Sequence, residues 1–117
     1  MRILVVDDNP DAAESLAAVL SLTGHEARAV HDGPRAISMA ETFRPDVMLI
    51  DIGMPTMSGH EVARAIRDKP WGATPLLIAL SGWSREADQL RSHDAGFDLH
   101  LSKDRKSTRL NSTRWCE

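Results

Sequence analysis

Short apolar runs alternate with helix-period stretches along residues 1–103 of this chain, and five such runs can be counted. Ile3, Leu4, Val5 and Val6 are continuous, as in a strand buried on both faces, so residues 2–6 are predicted as the first strand. Asn9 and Pro10 then supply a cap and first-turn pair, and Leu16, Val19, Leu20 and Leu22 share a helical stripe that ends at Gly24. Residues 25–30 are short and polar enough for an edge strand. Asp32 caps the next helix, whose Ala36, Ile37, Ala40 and Phe43 recur at helical spacing before Pro45. A third strand is predicted at residues 46–50, followed by a loop through residues 53–59, marked by its glycines and proline. Val62, Ala65 and Ile66 mark a third helix. Residues 75–80 predict a fourth strand, 86–95 a fourth helix closed by Gly96, and 98–102 a fifth strand. Alternation of this kind is the signature of repeated βα units around a parallel sheet with helices on both faces.

After Lys103 the pattern stops. Residues 104–117 hold only Leu110, Trp115 and Cys116 as apolar side chains, at no helical or strand period, so no fifth helix is predicted. A terminal helix in such a fold buries roughly 6 to 15 kcal/mol of apolar surface as an upper bound. Whole domains retain only about 5 to 15 kcal/mol of net stability. The chain is therefore expected to be marginally stable, with the sheet face beside the first helix exposed.

Composition narrows the function classes. At 117 residues, 42% hydrophobic and 26% charged, the chain is expected to form one soluble globular domain. Its net charge of −3 falls to −5 over residues 1–103, which argues against direct nucleic-acid contact. The longest apolar run, Leu76 to Leu80, is far short of the roughly 20 residues of a membrane span. No signal-peptide core precedes Asp7, and a cytoplasmic location is expected. One cysteine, Cys116, excludes an internal disulfide and a thiolate cluster.

Ligands of open parallel sheets sit at the carboxyl ends of the strands, so those positions carry the chemistry. The first strand ends in Asp7 and Asp8, the third in Asp51, the fourth in Ser81 and the fifth in Lys103. Singly, each has an ordinary structural explanation as a cap, a turn residue or a solvated charge. Together they do not, because carboxylates about 4 Å apart repel by roughly 4 kcal/mol per pair at an effective dielectric near 20. A Mg²⁺ ion turns that repulsion into coordination by hard oxygens. An aspartate carboxylate can then attack phosphorus, with Lys103 neutralising charge and the Ser81 hydroxyl donating a hydrogen bond. The set describes phosphoryl transfer onto Asp51. His25, His31, His60 and His93 show no metal-ligand spacing, and Met48, Met54 and Met57 look like core and loop filling.

Val5-Val6-Asp7-Asp8-Asn9, the run from Asp46 through Asp51 to Gly53-Met54-Pro55, Ser81 and Lys103 resemble the receiver domain of two-component response regulators, from Met1 to Lys103. The resemblance implies a doubly wound, flavodoxin-like sheet of five parallel strands in the order 2-1-3-4-5. It implies that a histidine kinase or phosphotransfer protein phosphorylates Asp51, the chain being an acceptor rather than an enzyme. Asp8 would be a direct Mg²⁺ ligand, Asp7 a ligand through water and the Gly53 carbonyl a third. Ser81 and Lys103 would bind phosphoryl oxygens. Dimerisation through the face of the fourth helix and fifth strand is a further expectation.

This chain departs from the family at three places. His100 stands three residues before the lysine, where the family carries tyrosine or phenylalanine as the switch partner of the Ser81 position. It is read either as a switch that depends on pH or as a surface residue with no role. Trp83 either shields the acyl phosphate or covers the start of the fourth helix. Asp104 follows the lysine where the family has proline and then a helix. Residues 104–112 resemble the translation of a common sequencing-library adaptor, so residues 104–117 are expected to be a non-native or disordered tail.

The alternative function is a receiver-like interaction module that works without phosphorylation. A hydrolase with an aspartate nucleophile would want a second acid two residues after Asp51, where Gly53 stands. Nucleotide-binding glycine loops are absent.

Overall fold

The computed structural model describes residues 1–54, 57–81, 95–103 and 110–114. Strands β1 (Arg2–Val6), β2 (Glu26–Val30), β3 (Val47–Asp51), β4 (Leu76–Ser81) and β5 (Leu99–Lys103) form a parallel sheet in the order β2-β1-β3-β4-β5. Helices α1 (Pro10–Leu22), α2 (Gly33–Phe43) and α3 (Gly59–Arg67) connect the first four strands. The fourth helix expected at residues 86–95 and Trp83 lie outside the described residues, apart from Ala95 at the end of that stretch.

Because successive strand residues point to opposite faces, each strand feeds two cores. Leu4, Val6, Met48, Ile50, Leu77 and Ala79 pack on the side of α2 and α3, which contribute Ala36, Ala40, Val62 and Ile66. Ile3, Val5, Leu49, Ile78 and Leu80 pack on the other side against Ala13 and Ala17 of α1. Continuous apolar runs are thus required of the inner strands, which is why they were readable. The helix starts follow their caps. Asn9 accepts hydrogen bonds from the Asp11 and Ala12 N–H groups, Asp32 from that of Arg35, and Ser58 from that of Glu61.

Three expectations are corrected. The buried stripe of α1 is Ala13 and Ala17 with half-buried Leu16 and Leu20, whereas Val19 and Leu22 are 56% and 87% exposed. Small residues at i and i+4 let the helix lie close to the sheet, and that spacing outweighs the larger side chains one turn on. The face beside α1 is also largely buried: Leu49, Ile78 and Leu80 are 8%, 9% and 1% exposed, and Leu76 is the open position at 38%. Finally, the sheet has a sixth strand. Residues Leu110–Arg114 form β6, antiparallel to β5, with Leu99 opposite Arg114 and Lys103 opposite Leu110. A strand edge offers unpaired N–H and C=O groups, and pairing them requires no apolar period, so the hydrophobic pattern gives no sign of it.

Two contacts fix the loop that follows β3. A Cβ on Gly59 would lie 2.7 Å from both the Asp51 carbonyl oxygen and the Ile52 Cα, so only glycine lets α3 start directly against the end of β3. At Gly33, the first residue of α2, a Cβ would lie 2.6 Å from the Met57 sulfur, so Met57 fills the space that a side chain there would take.

At the opposite end of the sheet, Arg67 closes α3. It donates to the carbonyls of Gly96, Gly72 and Pro75 at 2.9, 2.7 and 2.9 Å and to the Asp98 carboxylate at 2.7 Å. The same Asp98 oxygen accepts from Leu77 N–H at 2.9 Å, so one guanidinium ties the starts of β4 and β5 together. Gly96 has φ +109°, and a Cβ there would lie 2.7 Å from Arg67 Cγ, so conformation and packing both call for glycine. Nearby, Lys69 Nζ donates to Glu41 Oε1 at 2.6 Å, and that hydrogen bond and charge hold the Glu41 carboxyl below its ordinary pKa. This tie is present above the ordinary carboxylate pKa and is lost as pH falls through the lowered value.

Replacing Arg67 removes the guanidinium donor from three carbonyls and leaves the Asp98 carboxylate with the Leu77 N–H but without its counter-charge. Arg67→Ala is expected to lower unfolding stability by about 2 to 3 kcal/mol in urea titrations. Arg67→Lys should recover less than half of the loss, since one ammonium cannot span the four acceptors. A loss under about 0.5 kcal/mol for the alanine variant would show that the clamp contributes little.

Candidate metal and phosphoryl site

Parallel register brings the carboxyl ends of the strands to one edge. Asp51 closes β3 opposite Leu80 of β4, and Val6 of β1 lies opposite Ile50, so Asp7 and Asp8 emerge beside Asp51. Asp7, Asp8 and Asp51 each offer a carboxylate oxygen, and these atoms lie within 4.8 Å of one another. Asp7 is buried at 4% exposure, Asp51 is half-buried and Asp8 is exposed. The cluster therefore opens to solvent on one side and rests on the sheet on the other.

Backbone contacts fix Asp7 and Asp51. Asp7 N–H donates to the Val30 carbonyl at 3.1 Å, which extends the β1–β2 ladder by one residue, and the Asp7 carboxylate accepts from Asn9 N–H at 3.0 Å. His31 Nδ1 lies 3.3 Å from the Asp7 carbonyl oxygen and, when it carries the proton, donates to it. Asp51 Oδ1 accepts from Gly53 N–H at 2.9 Å, and Ile52 N–H donates to the Leu80 carbonyl at 3.0 Å. These bonds orient the side chains before any ligand arrives.

The donor set suits a hard divalent cation. Three carboxylates converge, and an octahedral ion with oxygens at about 2.1 Å places them about 3 to 4.2 Å apart, inside the observed spread. Gly53 is tied to Asp51 by its N–H, which puts its backbone next to the cluster.

Of the residues predicted from sequence, Asp7, Asp8, Asp51 and Gly53 are brought together. Ser81 ends β4 opposite Ser102, and Lys103 ends β5, so their backbones reach the same edge of the sheet. His100 lies opposite Ala79 and is 1% exposed, which corrects the surface reading. Met48 and Met54 are core, at 0% and 5% exposure, and Met57 fills the space above Gly33. Sequence reasoning missed the His31 contact with Asp7, which joins residues 24 apart. Its only sequence signal is a polar residue at the end of the edge strand.

Residues 3–113 match the family described as response regulator receiver domain. Response regulator MprA of Mycobacterium avium (strain 104) is 37% identical over 103 residues, covering 88% of this chain and 44% of that protein. The chain thus spans less than half the length of the curated relatives it matches. Among solved structures, the signal receiver domain of a signal transduction histidine kinase from Syntrophus aciditrophicus gives a TM-score of 0.77 at 33% identity, over 87% of this chain and 77% of that one. Chemotaxis protein CheY4 of Vibrio cholerae gives a TM-score of 0.79 at 25% identity, over 82% and 80%. Strand order, acidic strand ends and these similarities agree, and the chain belongs to the response regulator receiver domain family.

Proposed function

We propose that Asp51 accepts a phosphoryl group from the phosphohistidine of a histidine kinase or phosphotransfer protein. The observation that supports this most is the grouping of the Asp7, Asp8 and Asp51 carboxylates within 4.8 Å at the carboxyl edge of the sheet. An Asp51 oxygen attacks phosphorus, the P–N bond breaks, and the imidazole leaves with the electron pair while an acyl phosphate forms on Asp51. Asp7, Asp8, Asp51 and the Gly53 carbonyl would hold Mg²⁺, which supplies positive charge to the phosphoryl oxygens when bound. Ser81 and Lys103, at the ends of β4 and β5, are the proposed phosphoryl-oxygen ligands. Asn9 N–H holds the Asp7 carboxylate, and His31 meets the Asp7 backbone carbonyl.

The group on Asp51 then biases the face of β5 and the fourth helix, with Ser81 and His100 as the switch pair. His100 is the register partner of Ala79, two residues before Ser81. That face is the proposed dimerisation surface in the phosphorylated state. The partner is a protein, in the cytoplasm, and the acidic balance of residues 1–103 argues against nucleic acid. No helix among the described residues is long and apolar enough to cross a membrane. The same reading takes residues 1–103 as the receiver unit and residues 104–117 as a non-native tail, although β6 pairs with β5 and the family match runs to residue 113.

Intact mass after incubation with Mg²⁺ and a small acyl-phosphate donor tests the acceptor. One added phosphoryl group is expected, and it should be absent with chelator and in Asp51→Asn. Uptake that persists in Asp51→Asn contradicts the assignment, and no uptake by protein with a folded circular-dichroism spectrum favours an interaction module that works without phosphate. Sequencing the source locus across codon 103 with different primers tests the tail, since recovery of residues 104–117 there overturns the non-native reading.

A further inference from the structure

The edge of the sheet at β2 reads as self-complementary. No described strand lies beyond β2, so among the described residues one side of its backbone has no strand partner. Glu26 N–H donates to the Met1 carbonyl and Val30 O accepts from Asp7 N–H, so Glu26, Arg28 and Val30 direct their backbone groups toward β1. By alternation, Ala27 and Ala29 direct theirs outward. The side chains alternate the other way: Glu26 and Arg28 are exposed and share the α2 side of the strand with Val30. Among the described residues no carboxylate pairs with Arg28, whose guanidinium lies 4.6 Å from the Phe43 ring centroid. Glu26 meets Arg2 at 3.7 Å, with both side chains more than half exposed, a pair of little strength.

We infer that β2 pairs antiparallel with β2 of a second copy of this chain, with the two-fold axis at Ala27. In that register the two Ala27 residues exchange both backbone hydrogen bonds, and each Glu26 stands opposite Arg28 of the other copy. Opposite charges in a non-hydrogen-bonded cross-strand pair have Cβ atoms about 4.5 to 5.5 Å apart, within reach of an ion pair. Other registers lose this. An axis at Arg28 sets two guanidiniums directly opposite, and an axis at Ala29 sets Arg28 against Val30. Charged edge strands normally repel added strands, but that protection fails where the signs alternate so that the strand complements itself. The outward-facing donors belong to alanines, so no bulky side chain stands on the pairing row. This surface is separate from the β5 face and does not depend on phosphorylation.

Sedimentation velocity of the full chain from about 10 μM to 1 mM tests the inference, read beside Glu26→Arg and Arg28→Glu. The wild type is expected to shift toward dimer with concentration, and each single reversal should raise the dissociation constant about tenfold or more. An equimolar mixture of the two variants should dimerise again. In that pair the introduced arginine of one variant faces the introduced glutamate of the other, and the native Arg28 of the first faces the native Glu26 of the second. Matching circular-dichroism spectra and melts confirm that all three proteins are folded. A wild type that stays monomeric throughout overturns the inference, as do single variants that dimerise like the wild type or a mixture no more associated than its components.

Discussion

Asp7, Asp8 and Asp51 offer carboxylate oxygens within 4.8 Å of one another, and charges of one sign brought together at the end of a sheet repel, most strongly where burial keeps water from between them. The rest of the structure is arranged to hold them there. Parallel pairing of β1 with β3 sets Val6 level with Ile50, so the acids that follow each strand emerge side by side. Buried apolar runs on both faces of those strands resist any slip in register, since a shift of one residue would turn every core side chain over. Holding these acids together is a cost carried by the core, and a divalent cation bound among them would offset it.

That edge is connected to the rest of the molecule by a few short contacts. Gly59 lets α3 begin against the Asp51 carbonyl, and Met57 seats the same loop on Gly33 of α2. His31, after β2, reaches the Asp7 carbonyl, so the edge strand also senses the position of β1's end. At the far side Arg67 binds the starts of β4 and β5 through Asp98, which keeps the strand carrying His100 and Lys103 in register with the strand carrying Ser81. A change at Asp51 thus meets a rigid frame on the β1–β3 side, where helix and sheet interlock through backbone atoms.

Much of this was legible in the chain itself. Uninterrupted runs such as Ile3–Val6 and Leu76–Leu80 have one physical use in a small domain, and acids directly after such runs sit at strand ends by necessity. Asn9 and Asp32 were readable as caps because capping is a local interaction. What failed to show was non-local or carried by backbone. β6 pairs through main-chain groups that have no sequence signature, and the His31 and Arg67 contacts join residues 24 and 31 apart. The phase of α1 was missed because alanine at 13 and 17 carries little hydrophobic weight, yet allows the closest approach to the sheet. The burial of His100 was not legible, since alternation places it on the opposite face of β5 from Leu99 and Leu101 and the sequence does not say what covers that face.

If Asp7, Asp8 and Asp51 together hold a divalent cation as proposed, that ion stabilises the folded chain. The most direct measurement is urea unfolding of the wild type and of Asp8→Asn with and without Mg²⁺. Mg²⁺ is expected to stabilise the wild type by an increment that grows with the logarithm of its concentration. Asp8→Asn is expected to be the more stable protein without the ion and to gain little on adding it. A wild type indifferent to Mg²⁺, together with an Asp8→Asn variant no more stable than it, would contradict the account.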